Sequence, residues 1–185
     1  GSETSGSIRN VLGYDLKAVG TYTVLRLKSA MNRGGTIENI YMTRVSAENV
    51  RQVLAADLNW NPSYSYSTLP EKYVGKEIPE HWKTMLTQVI PAEKGYPHFK
   101  NVYFWNVKAK NSKQFITAIG WNNKLRLENF YLNNIKADVG NAGKITFTNN
   151  FNLRNIHLKV ADKSKIELKE NINLNKLAYR TGAGY

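Results

Sequence analysis

The sequence predicts an all-β protein, a parallel β-helix of stacked coils interrupted by one long loop. Three observations predict it. An asparagine-centred segment recurs at a period of 26 to 29 residues. The runs around each asparagine are β-branched and aromatic, and too short for helices. The stretch 59–97 breaks the pattern with prolines and aromatics. The chain of 185 residues therefore reads as one partial domain over 1–185, with 59–97 as a loop excursion and 169–185 as the C-terminal end or tail.

The elements follow in order. Arg9-Asn10-Val11-Leu12 opens the series, and Thr23-Val24-Leu25-Arg26-Leu27-Lys28 is a strand with alternating faces. Ile37-Glu38-Asn39-Ile40-Tyr41-Met42 repeats the asparagine pattern 29 residues after the first. The next asparagine, in Lys100-Asn101-Val102-Tyr103-Phe104, is 62 residues on, which reads as two periods plus an excess. Inside that gap Glu80 to Val89 suits one short helix. Phe115 to Ile119, Glu128-Asn129-Phe130-Tyr131-Leu132 and Lys144 to Phe147 are further strands. Arg154-Asn155-Ile156-His157-Leu158 and Lys165 to Leu168 close the series. At a coil corner asparagine tolerates left-handed φ/ψ, and stacked asparagine amides can form a hydrogen-bonded ladder. A leucine-rich repeat lacks support because its leucine consensus is missing. A β-sandwich is the remaining alternative.

Lys and Arg total 26 against 14 Asp and Glu, a net charge of +12 that predicts attraction to polyanions. Nucleic acid, an anionic membrane surface and an acidic polysaccharide all qualify on charge alone. The absence of cysteine excludes a disulfide framework and a thiolate metal site. No apolar run approaches the ~20 residues of a membrane span, so no membrane partner is expected. No leader segment opens the chain, and Gly1-Ser2-Glu3-Thr4-Ser5-Gly6 reads as the interior of a larger protein.

Arg26 and Lys28 project to one face of their strand while Leu25 and Leu27 project to the other. An isolated pair of this kind is ordinarily a solvated face. Two neighbouring cations on one face repel, however, and a bound anion relieves that repulsion. Arg33-Gly34-Gly35 then supplies a flexible turn.

Gly1-Ser2-Glu3-Thr4-Ser5-Gly6-Ser7-Ile8-Arg9-Asn10-Val11 resembles the G-S-E-x-S-G-G-[VI]-R-N-V segment of the polygalacturonases of glycoside hydrolase family 28. Arg26-Leu27-Lys28, followed by Arg33-Gly34-Gly35-Thr36-Ile37-Glu38-Asn39-Ile40, resembles the family's R-I-K motif and the R-G-G-x-[VI]-x-N-I after it. More loosely, Tyr64-Ser65-Tyr66 through Phe99 is similar to bacterial exo-acting and rhamnogalacturonan-type members. The resemblance covers most of the chain and is diagnostic over about residues 1 to 40. It implies a right-handed β-helix and inverting hydrolysis of galacturonate-containing pectin. It also implies that Arg26 and Lys28 bind the sugar carboxylate, that Glu3 to Gly6 lie beside the catalytic strands, and that the site is periplasmic or extracellular.

The family's aspartates, in N-T-D and D-D motifs, and its G-H-G histidine precede the G-S-E segment, so none of the catalytic residues is expected in this chain. The chain then holds part of a substrate groove and no turnover of its own. Asp15, Asp57, Asp138 and Asp162 are dispersed in sequence. Asp57 is the one worth watching, against the ordinary reading of a solvated strand end. Trp60, Tyr64, Tyr66 and Trp82 are candidate sugar-contact aromatics, and packing of the loop onto the coils explains them as well. His81 and His98 lack metal-ligand spacing and His157 sits in a strand pattern, so all three read as ordinary hydrogen-bonded or surface histidines, and neither metal nor cofactor is expected. The expected partner is an acidic polysaccharide, and a non-catalytic polyuronate-binding β-helix is the second reading. Nucleic acid is disfavoured because the basic residues are scattered and no recognition motif occurs. An exposed N-terminal coil predicts self-association.

Overall fold

Residues 6–65 and 68–182 are described by the computed structural model. Alternation of apolar and polar residues sets the pattern from the first strand onward. Nine strands form among the described residues, β1 Ile8–Val19, β2 Thr23–Lys28, β3 Thr36–Glu48, β4 Gln52–Asp57, β5 His98–Ile119, β6 Leu127–Thr146, β7 Thr148–Val160, β8 Glu167–Lys169 and β9 Ile172–Thr181. They make one sheet in which every pairing is parallel. One ladder runs β1-β3-β5-β6-β7-β9, and β2 and β4 join it through the C-terminal half of β5. The chain is all-β, with a single α-helix, α1 Glu80–Leu86, among the described residues. That helix is neither long nor apolar enough to cross a membrane.

Long strands turn without ending because particular residues adopt left-handed backbone. Asn10, Asn39, Asn101, Asn129, Asn150 and Asn173 all have φ between 52° and 57°. A second set lies five residues on, at Asp15, Arg44, Asn106, Asn134, Asn155 and Ala178. Asparagine suits such corners because its short side chain tolerates the left-handed region. The amides also pair from strand to strand. Asn39 donates to Asn10 at 2.9 Å, Asn101 to Asn39 at 3.1 Å, Asn129 to Asn101 at 2.9 Å and Asn150 to Asn129 at 2.8 Å. The expected asparagine ladder is present.

Two register expectations need correction. Asn155 does not follow Asn129 in one ladder. Glu128 pairs with Asn149, so Asn150 stacks on Asn129 and Asn155 on Asn134. The 62-residue gap is one step rather than two periods, because β3 pairs directly with β5, Thr36 opposite His98. The whole excess sits in the excursion after β4. The strand candidates 100–104 and 115–119 are two parts of the 22-residue β5. Phe147 leaves the strand at a left-handed corner of φ 52°. The C-terminal region expected as an end or tail contains β9, which pairs with β7 from Asn149↔Ile172 to Leu158↔Thr181.

Inward-facing rows make the core. Val102, Phe130 and Phe151 form one row and Val107, Ile135 and Ile156 another, all 1 % exposed or less. The Phe130 and Phe151 rings stack at 5.3 Å between centroids. Each such side chain contributes roughly 1.5–3 kcal/mol by leaving water.

The excursion contains 3-10 turns at Pro62–Tyr64, Glu71–Tyr73 and Ala92–Gly95 as well as α1. Both its ends are tied to the turn after β2. Asn32 donates to the Ser65 carbonyl at 2.7 Å, and the Gly34 N–H donates to the Gly95 carbonyl at 2.9 Å. Gly34 and Gly35 have φ of 62° and 78°, and a side chain on either would meet backbone, the Lys94 carbonyl or the Gly6 carbonyl. The expected flexible turn is therefore a crowded, fixed one.

Candidate functional site

Strand β2 places Arg26 and Lys28 on its outer face, with Leu25 and Leu27 buried behind them. Parallel register then decides their neighbours. Arg26 lies opposite Ala55 and Lys28 opposite Asp57. Across β4, Ala55 and Asp57 lie opposite Thr117 and Ile119 of β5, and Thr117 lies opposite Lys144 of β6. The outer face thus carries Arg26, Lys28 and Lys144 with the Asp57 carboxyl among them, and it continues onto β8, where Glu167 lies opposite Lys144 and Lys169 opposite Thr146. A side row of amides borders it, in which Gln52 donates to Gln114 at 2.7 Å and Gln114 to Asn141 at 2.9 Å.

Trp60 completes this cluster through local chain geometry. The Asn59 N–H donates to Asp57 Oδ1 at 2.9 Å, an Asx turn that ends β4. The Trp60 N–H then donates to the Ser29 carbonyl at 3.2 Å, which brings the indole back over β2. Lys28 Nζ lies 4.3 Å and Arg26 Cζ 5.1 Å from the indole ring centre. Arg26 also lies 5.3 Å from the Tyr22 ring, which Arg51 approaches at 4.8 Å. Cation–π contacts of this kind hold about 0.5–1 kcal/mol each when exposed, and more when desolvated. The rings hold two like charges close together without a carboxylate partner for each.

Asp57 corrects the expectation of a solvated strand end. It is half-buried at the end of β4. Burial pushes its carboxyl above the usual range, opposed by the Asn59 N–H and by the positive charges of Lys144 and Arg26.

The remaining candidates are placed elsewhere. Trp82, in α1, makes its ring contacts within the excursion, to Tyr73 at 6.4 Å and His81 at 5.9 Å. Tyr66 lies outside the described residues, as do Glu3 to Ser5, and Tyr64 is described only through the backbone of its 3-10 turn. His157 Nε2 meets Asn155 Oδ1 at 2.9 Å on β7, and the His98 N–H donates to Gly35 at the start of β5. Sequence reasoning missed Lys144. Carrying the register of Arg26 across three strands would have found it.

Chemically, the face offers a planar guanidinium fork, a mobile ammonium and a hydrophobic ring wall, suited to a carboxylate-bearing pyranose. None of the known protein families, curated proteins or solved structures compared with the chain matches it.

Proposed function

We propose that the chain is the C-terminal part of a right-handed parallel β-helix similar to the polygalacturonases of glycoside hydrolase family 28. In this reading it holds galacturonate-containing polysaccharide, outside the cell or in the periplasm. The observation that carries the reading is the Arg26–Lys28 pair on one strand face under the Trp60 indole. The uniformly parallel pairing and the two ladders of left-handed corners support the β-helix.

The proposed role is binding. Arg26 takes the sugar carboxylate in its fork, Lys28 adds a second positive contact, and Ala55, opposite Arg26, leaves room for the ring. Inverting hydrolysis needs a carboxylic acid and a carboxylate about 6.5–9.5 Å apart. Asp57 on β4 and Glu167 on β8 are the carboxyls of this face among the described residues, and they stand three strands apart, about 14 Å at ordinary strand spacing. The residues here therefore support substrate holding, and in this reading catalysis belongs to the motifs that the resemblance places before Gly1.

Titration of the chain with oligogalacturonate tests this. Arg26→Gln and Lys28→Gln should each weaken binding about tenfold, the loss of one charge-assisted contact. The methyl-esterified oligomer should bind no better than those variants. Equal affinity for the acid and the ester would refute the reading.

A further inference from the structure

Beyond the corners at Asp15, Arg44, Asn106, Asn134 and Asn155, the ladder β1-β3-β5-β6-β7-β9 presents a separate outer face. In register across it stand Lys17, Ser46, Lys108, Lys136, His157 and Arg180. The flanking rows, Val45-Val107-Ile135-Ile156 and Ala47-Ala109-Ala137-Leu158, are buried, which turns this row outward. All but the half-buried His157 are exposed. The next outward positions add Lys110 and Lys159, against the carboxylates of Glu48 and Asp138. The face carries six cations against two acids, and one of the acids, Asp138, is paired with Lys159 at 3.5 Å.

The same strands treat charge differently a few residues earlier. There Arg9, Glu38, Lys100 and Glu128 alternate in sign across the register, with Glu38 bridging Arg9 at 2.7 Å and Lys100 at 3.2 Å. Where no ligand is needed, the sheet neutralises its cations. The row from Lys17 to Arg180 contains no carboxylate, and Lys108 and Lys136 stand directly opposite on adjacent strands, an arrangement that costs stability by repulsion. A groove beside them is lined by Arg44, Ser46, Asn106 and Asn134 together with both lysines.

We infer that this face is a second anion-binding surface that holds a linear polyuronate across six strands. The substrate class rests on the function proposed above, but none of the residues is shared with it. Strand spacing of about 4.7–4.9 Å spreads the row over about 24 Å. A chain carrying one carboxylate per pyranose is commensurate with cations presented at every strand or every second strand. The corner amides of Asn106 and Asn134 border the groove with groups that hydrogen-bond sugar hydroxyls. A nucleic acid fits less well, because neither outward row contains the Trp, Tyr or Phe on which unpaired bases stack. The surface lets the polymer stay attached when it leaves Arg26 and Lys28, which raises the effective concentration of its next segment.

Affinity electrophoresis of the whole chain through native gels containing polygalacturonate tests the inference. The variant Lys108→Gln/Lys136→Gln/Arg180→Gln should lose affinity about fivefold or more, with a shallower salt dependence. The variant Lys72→Gln/Lys76→Gln/Lys124→Gln removes equal charge from exposed positions elsewhere and should stay near wild type. Equal losses in both would reduce the face to net charge and overturn the inference, as would no loss in the first. Stronger retardation by double-stranded DNA, abolished by the first variant, would overturn it in favour of nucleic acid. Arg26→Gln/Lys28→Gln separates the two sites. Loss there with none on the face leaves the proposed function standing without this surface, and the reverse result leaves only this surface.

Discussion

Lys28 holds its ammonium 4.3 Å from the ring centre of Trp60, a residue that follows the neighbouring strand and is anchored by the Ser29 carbonyl. The same indole lies 5.1 Å from the Arg26 guanidinium. One aromatic ring therefore positions both cations of the candidate site.

Trp60→Ala should loosen both cations at once. Its predicted effect on oligogalacturonate affinity is about 1–2 kcal/mol, roughly a tenfold rise in Kd, with Trp60→Phe intermediate. Calorimetric titration checks this. Wild-type affinity in the alanine variant would remove the ring from the site.

Asp57 should make stability fall as pH rises. Its folded pKa is raised by burial, so the native state binds more protons than the unfolded chain between the two pKa values. Stability is then fully present below the unfolded pKa and declines as pH climbs through the folded one. Asp57→Asn removes that decline and keeps the Oδ1 that accepts from Asn59. It also removes a negative charge from beside Arg26 and Lys144, so polyuronate should bind more tightly at neutral pH. Urea melts of both proteins at two pH values, with Kd at pH 7, give both readings.

Asn129 serves the ladder twice, donating to Asn101 and accepting from Asn150, and it sits at φ 56°. Replacement by alanine should cost roughly 2–4 kcal/mol, from two lost hydrogen bonds and a strained left-handed residue. Asn129→Gly escapes the backbone term and should cost about half as much. Equal destabilisation by alanine and glycine in urea unfolding would assign the whole effect to the amides.

Strand β1 should mediate association between copies. Its inward positions Ile8, Val11 and Leu16 continue the core rows of β3, yet they are 39 %, 42 % and 40 % exposed. An opening at this end is also lined by Leu25, Leu27, Ile37 and Ile40. An unpaired edge with an apolar face seeks a partner. Light scattering should report a concentration-dependent mass above one chain, and Val11→Lys should reduce it. A monomer at all concentrations would contradict this.

Much of this is legible in the amino-acid sequence. The asparagine corners, the alternating faces of Thr23 to Lys28 and the excursion from 59 to 97 can be read from residue type and spacing. Register was harder to read. Corners recur five residues apart, so Asn149-Asn150-Phe151-Asn152-Leu153 and Arg154-Asn155-Ile156-His157-Leu158 present the same pattern, and the sequence favours neither. The neighbours of Arg26 depend on that register. Lys144 is distant in sequence and close only because three strands pair in step. Nor does composition reveal that an Asx turn at Asp57 aims Trp60 back over β2.

Nuclear magnetic resonance of the isotope-labelled chain, titrated with trigalacturonate, reads the central claim most directly. The Arg26 Nε–H and Trp60 indole N–H resonances should move first and saturate together, while the trimethyl ester leaves them in place. Acid and ester moving them alike, or movement confined to residues away from β2, would contradict an acidic-sugar site at Arg26 and Lys28.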